Sequence, residues 1–395
     1  MKVFSDLHLH SRFARGCSTD LTIANIAKWA AVKGVSLVGT GDFTHPGWFE
    51  ELKEQLSEID DSGIYQAKNS QTRFILQTEI SLIYTQGDRG YRVHLVVLAP
   101  DFVAVEQITE YLKKHGRVDY DGRPIFKIPC PKFVEDLRQI DERIEIFPAH
   151  IWTPWFSMFG DKSGFDSVKE CFQDQAKNIH AIETGISSDP QMNWRLSQLD
   201  KFNIVSFSDS HSFWPWRFGR EQTVFNLREL SFNGISKSFR TLNDKIDMTI
   251  EFWPSEGKYH FTGHRNCSVC LSPKDSLKLN NICPVCRKKL TVGVAQRVEQ
   301  LADRPEGFSD NNRPKFKTLI PLSELISAAL GVSASAKKTW GFYNILVEKF
   351  GNEMNVLLDA DEKELEKTID NKRIIKLIMM NRTEKIDFKP GYDGV

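Results

Sequence analysis

Seven short apolar runs punctuate the first 250 residues, and nearly every one ends in a histidine or a carboxylate. The runs lie near 2–7, 35–40, 74–80, 92–98, 144–148, 179–183 and 203–208. Helical patterns separate most of them. One helix is expected over 21–33, with Asp20 as its N-cap and Gly34 just past its end. Others are expected over 46–59 and 105–114. Strand–helix alternation at this length restricts the chain to a mostly parallel sheet or a barrel. In a barrel, reactive residues gather at the C-terminal ends of strands.

The polar residues fall there. His8 and His10 close the first run in Asp6-Leu7-His8-Leu9-His10-Ser11, and alternate residues of a strand face the same way. Asp42 ends the second run, with His45 just after it. Glu79 ends the third, His94 sits within the fourth and His150 follows the fifth. Glu183 ends the sixth, and Asp209 and His211 close the seventh. Each has a structural explanation when taken alone: Glu183 could pair with an arginine, and His94 could be a satisfied core histidine. Their recurrence over seven runs points instead to a polynuclear metal cage, with His8, His10, Glu79, Asp209 and His211 at its catalytic heart. Two or three divalent ions (Zn, Mg or Mn) would lower the pKa of a bound water to about 7 and clamp a phosphate. Phosphate ester hydrolysis by the resulting hydroxide is the expected reaction.

This motif set resembles the polymerase-and-histidinol-phosphatase (PHP) family of metallo-phosphoesterases, in its opening His-x-His, later single histidines and closing Asp-x-His. The resemblance implies a distorted (β/α)7 barrel binding up to three metals. It implies a first site of His8, His10, Glu79 and Asp209, with Glu79 bridging to a metal held by His94 and His150. His211 would hold a third metal with groups from the second strand and the first loop. One departure stands out: the family has Thr-Asp-His after strand two, and this chain has Gly41-Asp42-Phe43. Phe43 cannot bind metal, which leaves His45 as the candidate replacement. Asp20 matches an acidic position of the family or caps a helix.

Beyond the barrel, Cys267-x-x-Cys270 and Cys283-x-x-Cys286 are paired knuckles that supply four thiolates for one structural zinc. From 254 to 297, eight bases face two acids, a net charge of about +6 on a chain whose formal net charge is zero. A basic zinc ribbon containing Tyr259, His260 and Phe261 suits a phosphate backbone; a solvated surface offset by acids elsewhere is the alternative. The DNA-backbone candidates are Arg12, Arg15, Lys258, Arg265, Lys288, Lys289, Lys337 and Lys338. A polar stretch over 304–314 precedes helical patterns over 321–330, 339–350 and 362–380. The turn 331–338 either holds a phosphate at a helix start or simply caps that helix, and 389–395 reads as a turn or tail. The expected organisation is a catalytic barrel over 1–250, a zinc module over 251–297, a linker over 298–314 and a helical DNA-binding domain over 315–395. Cys17, Cys130 and Cys171 are scattered and read as reduced thiols. Runs such as 93–98 are too short to span a membrane, and the first residues lack a signal-peptide pattern. A cytoplasmic protein with no membrane partner is expected.

The whole chain also resembles the endonuclease Q family of archaea and some bacteria. The resemblance rests on Pro148-Ala149-His150-Ile151-Trp152-Thr153-Pro154-Trp155-Phe156, Glu183-Thr184-Gly185-Ile186-Ser187-Ser188-Asp189-Pro190 and Met192-Asn193-Trp194-Arg195. Further matches are Glu256-Gly257-Lys258-Tyr259-His260, Ala302-Asp303-Arg304-Pro305-Glu306-Gly307 and the closing Lys-Pro-Gly-Tyr-Asp-Gly. It implies a DNA repair nuclease that nicks on the 5′ side of deaminated bases (uracil, hypoxanthine, xanthine) and of abasic sites. Such an enzyme must flip the nucleotide to inspect it. Deamination replaces an amino donor by a carbonyl acceptor, so a pocket of donors would select the damaged base. Gly185, Ile186, Ser187 and Ser188, with Asn193, form the candidate base-reading loop beside Glu183, itself a substrate-binding candidate, unless that loop only seats Glu183 near the metals. Trp152, Trp155, Phe156 and Phe159 are candidate wedges into the base stack, or core. Two rivals stay open: a small-molecule phosphatase of the histidinol-phosphate type, and a non-catalytic DNA-binding protein. A replication clamp or helicase is a conceivable partner class, and no segment identifies one.

Overall fold

The computed structural model describes residues 1–386 and 389–394. Strand β1 (Lys2–Asp6) lies parallel to β2 (Leu37–Gly39), and β2 parallel to β3 (Arg73–Gln86). The helix Ile23–Lys33 makes the first crossover and buries Ile23, Ile26, Ala27 and Ala30. Its cap is Thr22, whose hydroxyl accepts from Asn25 N, and not Asp20. A capping oxygen must reach the second or third helical amide, and Asp20 stands too far ahead. It contributes its carbonyl instead, to Thr22 N and Asn25 Nδ2.

Strict alternation breaks at the fourth run. Strand β4 (Arg89–Ala99) returns antiparallel to β3 as a long hairpin, with Glu79 opposite Val96 and Ser81 opposite His94. The N-terminal half of β4 therefore lies beside the C-terminal half of β3. That reversal is why a mid-strand histidine reaches the same end of the barrel as Glu79. Strand β5 (Glu145–Pro148) is antiparallel to β4 and so restores the common direction. Strands β6 (Ala181–Glu183) and β7 (Asn203–Val205) form a parallel pair. Single contacts close the ring: Ile151 N donates to the Glu183 carbonyl at 3.1 Å, and Leu9 bridges Ser210. The result is the distorted seven-stranded α/β barrel expected from the sequence.

The other edge of β1 is taken by Gln222–Asn226, followed by Ile246–Glu251 and Lys315–Thr318. This extension leads into helices Leu322–Leu330, Lys337–Phe350, Glu353–Leu358, Glu362–Thr368 and Lys372–Arg382. They enclose a core of Leu322, Ile326, Tyr343, Leu346, Ile374 and Ile378. The single helix expected over 362–380 is two, because Asn371 caps a fresh start by accepting from Ile374 N at 3.1 Å. Residues 298–314 are not a free linker. Val298 is buried in the barrel core, Arg304 donates to Asp200 at 2.8 Å, and Arg313 donates to the Phe202 carbonyl at 2.8 Å. Lys33 locks the helical domain to the barrel, with Nζ 2.7 Å from both Glu353 and the Pro215 carbonyl. Glu353 also accepts from Tyr343 at 2.7 Å and Leu322 N at 3.0 Å, so both of its carboxylate oxygens are hydrogen-bonded. No helix among the described residues is long and apolar enough to cross a membrane.

Two buried acids lie where the sheet extension meets the barrel. Glu251 accepts from Thr184 at 2.9 Å and Ser206 at 3.0 Å, and Glu221 accepts from Phe252 N. Burial pushes Glu251 up to about 8 and Glu221 well up from the usual carboxylate range. A carboxyl raised in the folded state holds a proton that the unfolded chain has lost, so stability declines as pH rises from about 4.5 to about 8. Glu251→Gln should therefore raise the melting temperature by several degrees at pH 8 and change it little at pH 5. Thermal unfolding at the two pH values checks this, and an equal shift at both would refute the assignment.

Candidate metal centre

Six side chains converge at the C-terminal end of the barrel in two groups that share Glu79. His8, His10, Glu79 and Asp209 offer ligand atoms all within 4.8 Å of one another, and so do Glu79, His94 and His150. His10 Nε2 stands 3.1 Å from Asp209 and 3.2 Å from Glu79, while His8 Nε2 is 3.5 Å from Glu79. His94 Nδ1 and His150 Nε2 lie 2.7 and 3.2 Å from the same Glu79 oxygen.

The far nitrogens of the first two imidazoles explain the arrangement. His8 Nδ1 donates to Glu183 at 3.0 Å, and His10 Nδ1 donates to Asp42 at 2.9 Å. Each inner Nε2 is then a lone pair aimed at carboxylate oxygens. His8 Nε2, His10 Nε2 and Asp209 Oδ1 are buried and make no hydrogen bond among the described residues. Lone pairs facing lone pairs call for a cation between them, and carboxylate-oriented histidines are the usual way to present imidazole to a metal. The residues present fit divalent ions. Burial disfavours charge on His8 and His10, yet the carboxylates around them outweigh it and raise both well above the ordinary imidazole value, so these carboxylates demand positive charge at the two Nε2 atoms, from a proton or, in its place, a metal cation. Burial pushes His94 down to about 4 and keeps it neutral and ready to coordinate. Asp42, His150 and Asp209 adopt φ of 42°, 30° and 46°, a backbone region that non-glycine residues seldom occupy. Gly185 has φ of 60°, and a Cβ there would stand 2.5 Å from that of His150. Only glycine lets that loop pass so close.

Asp42, His45 and His211, also expected as ligands, lie outside these two groups. Asp42 orients His10 and accepts from Ser11 N. His45 starts the helix Pro46–Gln55 and stacks on Phe13, ring centroids 4.3 Å apart, away from both groups. His211 packs on His10 with centroids 4.6 Å apart, and its Nδ1 donates to the Asp209 carbonyl. Among the described residues, Asp42, His45 and His211 do not gather into a third group of three ligand atoms. Glu183, expected at the substrate, is fully buried and orients His8 while accepting from His150 N. One residue the sequence did not signal joins the site: Arg123 Nη1 is 3.0 Å from Glu79. It sits in a loop at which a Cβ on Gly122 would collide with Asp42.

The base-reading candidates divide by burial. Ser188 and Asn193 are buried scaffold: Asn193 bonds to Ser188 at 3.1 Å and accepts from the Trp152 indole at 2.8 Å. Ile186 and Ser187 remain accessible at the loop tip. Trp152 and Phe159 are core, whereas Trp155 is exposed and Phe156 half-buried beside His94. Arg12 pairs with Glu51 and Arg15 with Asp121, while Lys258, Arg265, Lys288, Lys289, Lys337 and Lys338 are all exposed.

In the zinc module, the hairpin Thr262–His264 and Val269–Leu271 faces the second knuckle. The gathered ligands are His264, Cys267, Cys283 and Cys286, with His264 Nδ1 3.3 Å from Cys286 Sγ. Cys270, expected as the fourth thiolate, is exposed. It follows Val269 in a strand, and Val269 points into the module core, so Cys270 points out. Burial opposes charge on Cys283, but the amides of Cys286 and Val285 and the His264 ring bring its thiol down to about 6. His264-x-x-Cys267 has the knuckle's own spacing, a signal that was available in the sequence.

Residues 321–385 match the family model of the MJ0043 C-terminal domain. Protein MJ0043 of Methanocaldococcus jannaschii is 33% identical over 71% of this chain, which spans only 34% of that relative's length. The crystal structure of the lesion-specific endonuclease PfuEndoQ from Pyrococcus furiosus superposes with a TM-score of 0.89 at 30% identity, covering 100% of this chain and 94% of that one. An endonuclease Q complex with a 27-mer duplex bearing an abasic lesion at the active site gives a TM-score of 0.88 at 31% identity, over 100% and 95% of the two chains. The barrel, the zinc module and the helical domain are thus shared along the full length, and the chain belongs to the endonuclease Q family.

Proposed function

We propose that the chain is a metal-dependent DNA repair endonuclease that flips a damaged nucleotide and hydrolyses the phosphodiester 5′ to deaminated bases and abasic sites. The observation that carries this reading is the pair of ligand groups sharing Glu79 at the open end of the barrel. The abasic duplex held by a full-length relative supports DNA as the substrate. His8, His10, Glu79 and Asp209 would hold one divalent ion and Glu79, His94 and His150 another, whether Zn, Mg or Mn. Such ions supply water activation near neutral pH and charge for the scissile phosphate. Glu183 and Asp42 fix the imidazoles, and Arg123 sets a guanidinium beside Glu79 where it can meet a phosphate oxygen. Ser187 and Ile186 are the accessible loop positions for reading the base. One zinc folds the basic module, and the helical domain adds Lys337 and Lys338 to the DNA face.

The test is a labelled duplex with one deoxyuridine, compared with abasic and undamaged duplexes, in Mg²⁺ or Mn²⁺. A single cut 5′ to the lesion and none in undamaged DNA is expected. Equal cutting of all three would leave the phosphodiesterase chemistry and remove the damage reading. No cutting, with good hydrolysis of a small phosphate ester, would transfer the assignment to a phosphatase. Ser187→Ala should lower uracil nicking about tenfold, the value of one hydrogen bond, and leave abasic nicking unchanged.

A further inference from the structure

A cleft of about 740 Å³ opens beside the metal centre, walled by Arg92, Lys127 and Lys162 together with Tyr84, Tyr91 and Trp155. No acidic side chain lines it among the described residues. Lys162 has Asp161 at 3.2 Å, and the Arg92 guanidinium lies 5.6 Å from the Phe156 ring centre. Phe156 stands between the cleft's Arg92 and the ligand group of His94: its ring is 4.8 Å from His94, and its carbonyl accepts from His94 N at 3.1 Å. Tyr91 is held flat by stacking on Phe165, centroids 3.7 Å apart and 3° from parallel. Trp155 is 38% exposed and meets Tyr259 of the zinc module in an edge contact at 5.4 Å. A larger cleft of about 1030 Å³, between the zinc module and 302–307, mixes the acids Asp189, Glu299, Asp303 and Glu306 with the bases Arg195, Lys274 and Arg304, and so offers a polyanion no net positive wall.

We propose that the all-cationic cleft holds an unpaired stretch of the DNA strand adjacent to the cut. Backbone phosphates lie on Arg92, Lys127 and Lys162, and a base stacks on Trp155. The proposal rests on the DNA-endonuclease reading above. Cations that track a backbone, interleaved with aromatic faces, are what a single strand needs; a paired duplex hides its base faces from such a wall. Position supports the same occupant. A strand distorted by a flipped nucleotide must leave the metal site through one side of the rim, and the Phe156 side offers three cations that match phosphate.

The test measures binding of a short fluorescent single-stranded oligonucleotide and of the lesion duplex across a salt series. Full-length Asp209→Asn protein is used so that the strands stay intact. Adding R92Q, K127Q and K162Q should reduce the slope of log affinity against log salt by about 2 for the single strand, at roughly 0.7 per lost phosphate contact. Trp155→Ala should weaken single-strand binding about tenfold, and Trp155→Phe should remove much of the strand-induced quenching of tryptophan fluorescence. Zinc content and melting temperature report that the variants fold. An unchanged single-strand slope in the triple variant, while the parent binds, overturns the proposal. A slope that falls for the duplex alone would make the cleft a duplex surface and also overturn it. A parent protein that binds neither DNA would sink the endonuclease reading itself, and this proposal with it.

Discussion

Asp209→Asn should lower lesion-dependent nicking about a thousandfold or more while leaving the fold intact. Asp209 Oδ1 is a buried oxygen without a hydrogen bond, set 3.1 Å from His10 Nε2 and 3.7 Å from His8 Nε2. Burial would raise its carboxyl, but the imidazoles of His8, His10 and His211 around it outweigh burial and hold it far below the usual range. An amide of the same shape removes the negative charge that the first ligand group directs at its centre. Metal charge at such a site stabilises the transition state by several kcal/mol, and each 1.36 kcal/mol is a factor of ten in rate. The comparison that makes the result specific is Glu183→Gln. Glu183 touches His8 only through Nδ1, so its loss misorients a ligand without deleting one and should cost roughly 10- to 100-fold. Turnover on a deoxyuridine duplex, with metal content measured in parallel, checks both. If Asp209→Asn stays within tenfold of the parent, Asp209 is not a ligand; if Glu183→Gln is the more severe, the assigned roles are reversed.

The barrel was legible because strand-end chemistry follows from period-two geometry, and six residues named at strand ends or within a strand do meet: His8, His10, Glu79, His94, His150 and Asp209. What the sequence concealed were the relations between elements. Asp42 and Glu183 sit at strand ends as a ligand would, but they face the outer nitrogens of histidines, and only the packed barrel separates an inner position from an outer one. His45 follows a strand end, yet Pro46 commits the next residues to a helix and swings the ring onto Phe13. The β3–β4 hairpin looks like two parallel strands in a hydropathy pattern, because buried strands of either direction read alike. Arg123 lies in a loop with no periodicity, and nothing local marks it as a neighbour of Glu79. Ser188 and Asn193 were expected in the base-reading loop, but both are buried where the small helix Pro190–Trp194 packs.

The zinc module gives the second large effect, because the two candidate ligand sets predict opposite results for two single substitutions. Cys270→Ser should leave one zinc bound per chain; His264→Gln should release it and melt the hairpin. Cys283→Ser, common to both sets, should also release it. Structural zinc contributes on the order of 10 kcal/mol or more to modules of this size, while the module's own apolar cluster is small: Val269, Cys283 and Leu290, with Cys267, Leu271 and Cys286 packed around it. Losing a ligand therefore unfolds the module rather than loosening it. Zinc release with a colorimetric chelator, alongside proteolysis between 262 and 291, reads both outcomes. Loss of zinc from Cys270→Ser would restore the four-thiolate set that the spacing suggests. That alternative carries a structural cost, since adjacent strand residues face opposite ways. Turning Cys270 inward would turn Val269, 8% exposed, out of the core, and would break the pairing of Gly263 with Cys270 that holds the hairpin. His264, directly opposite Val269 in the same hairpin, reaches Cys286 without disturbing either, and on that ground the histidine should prove to be the fourth ligand.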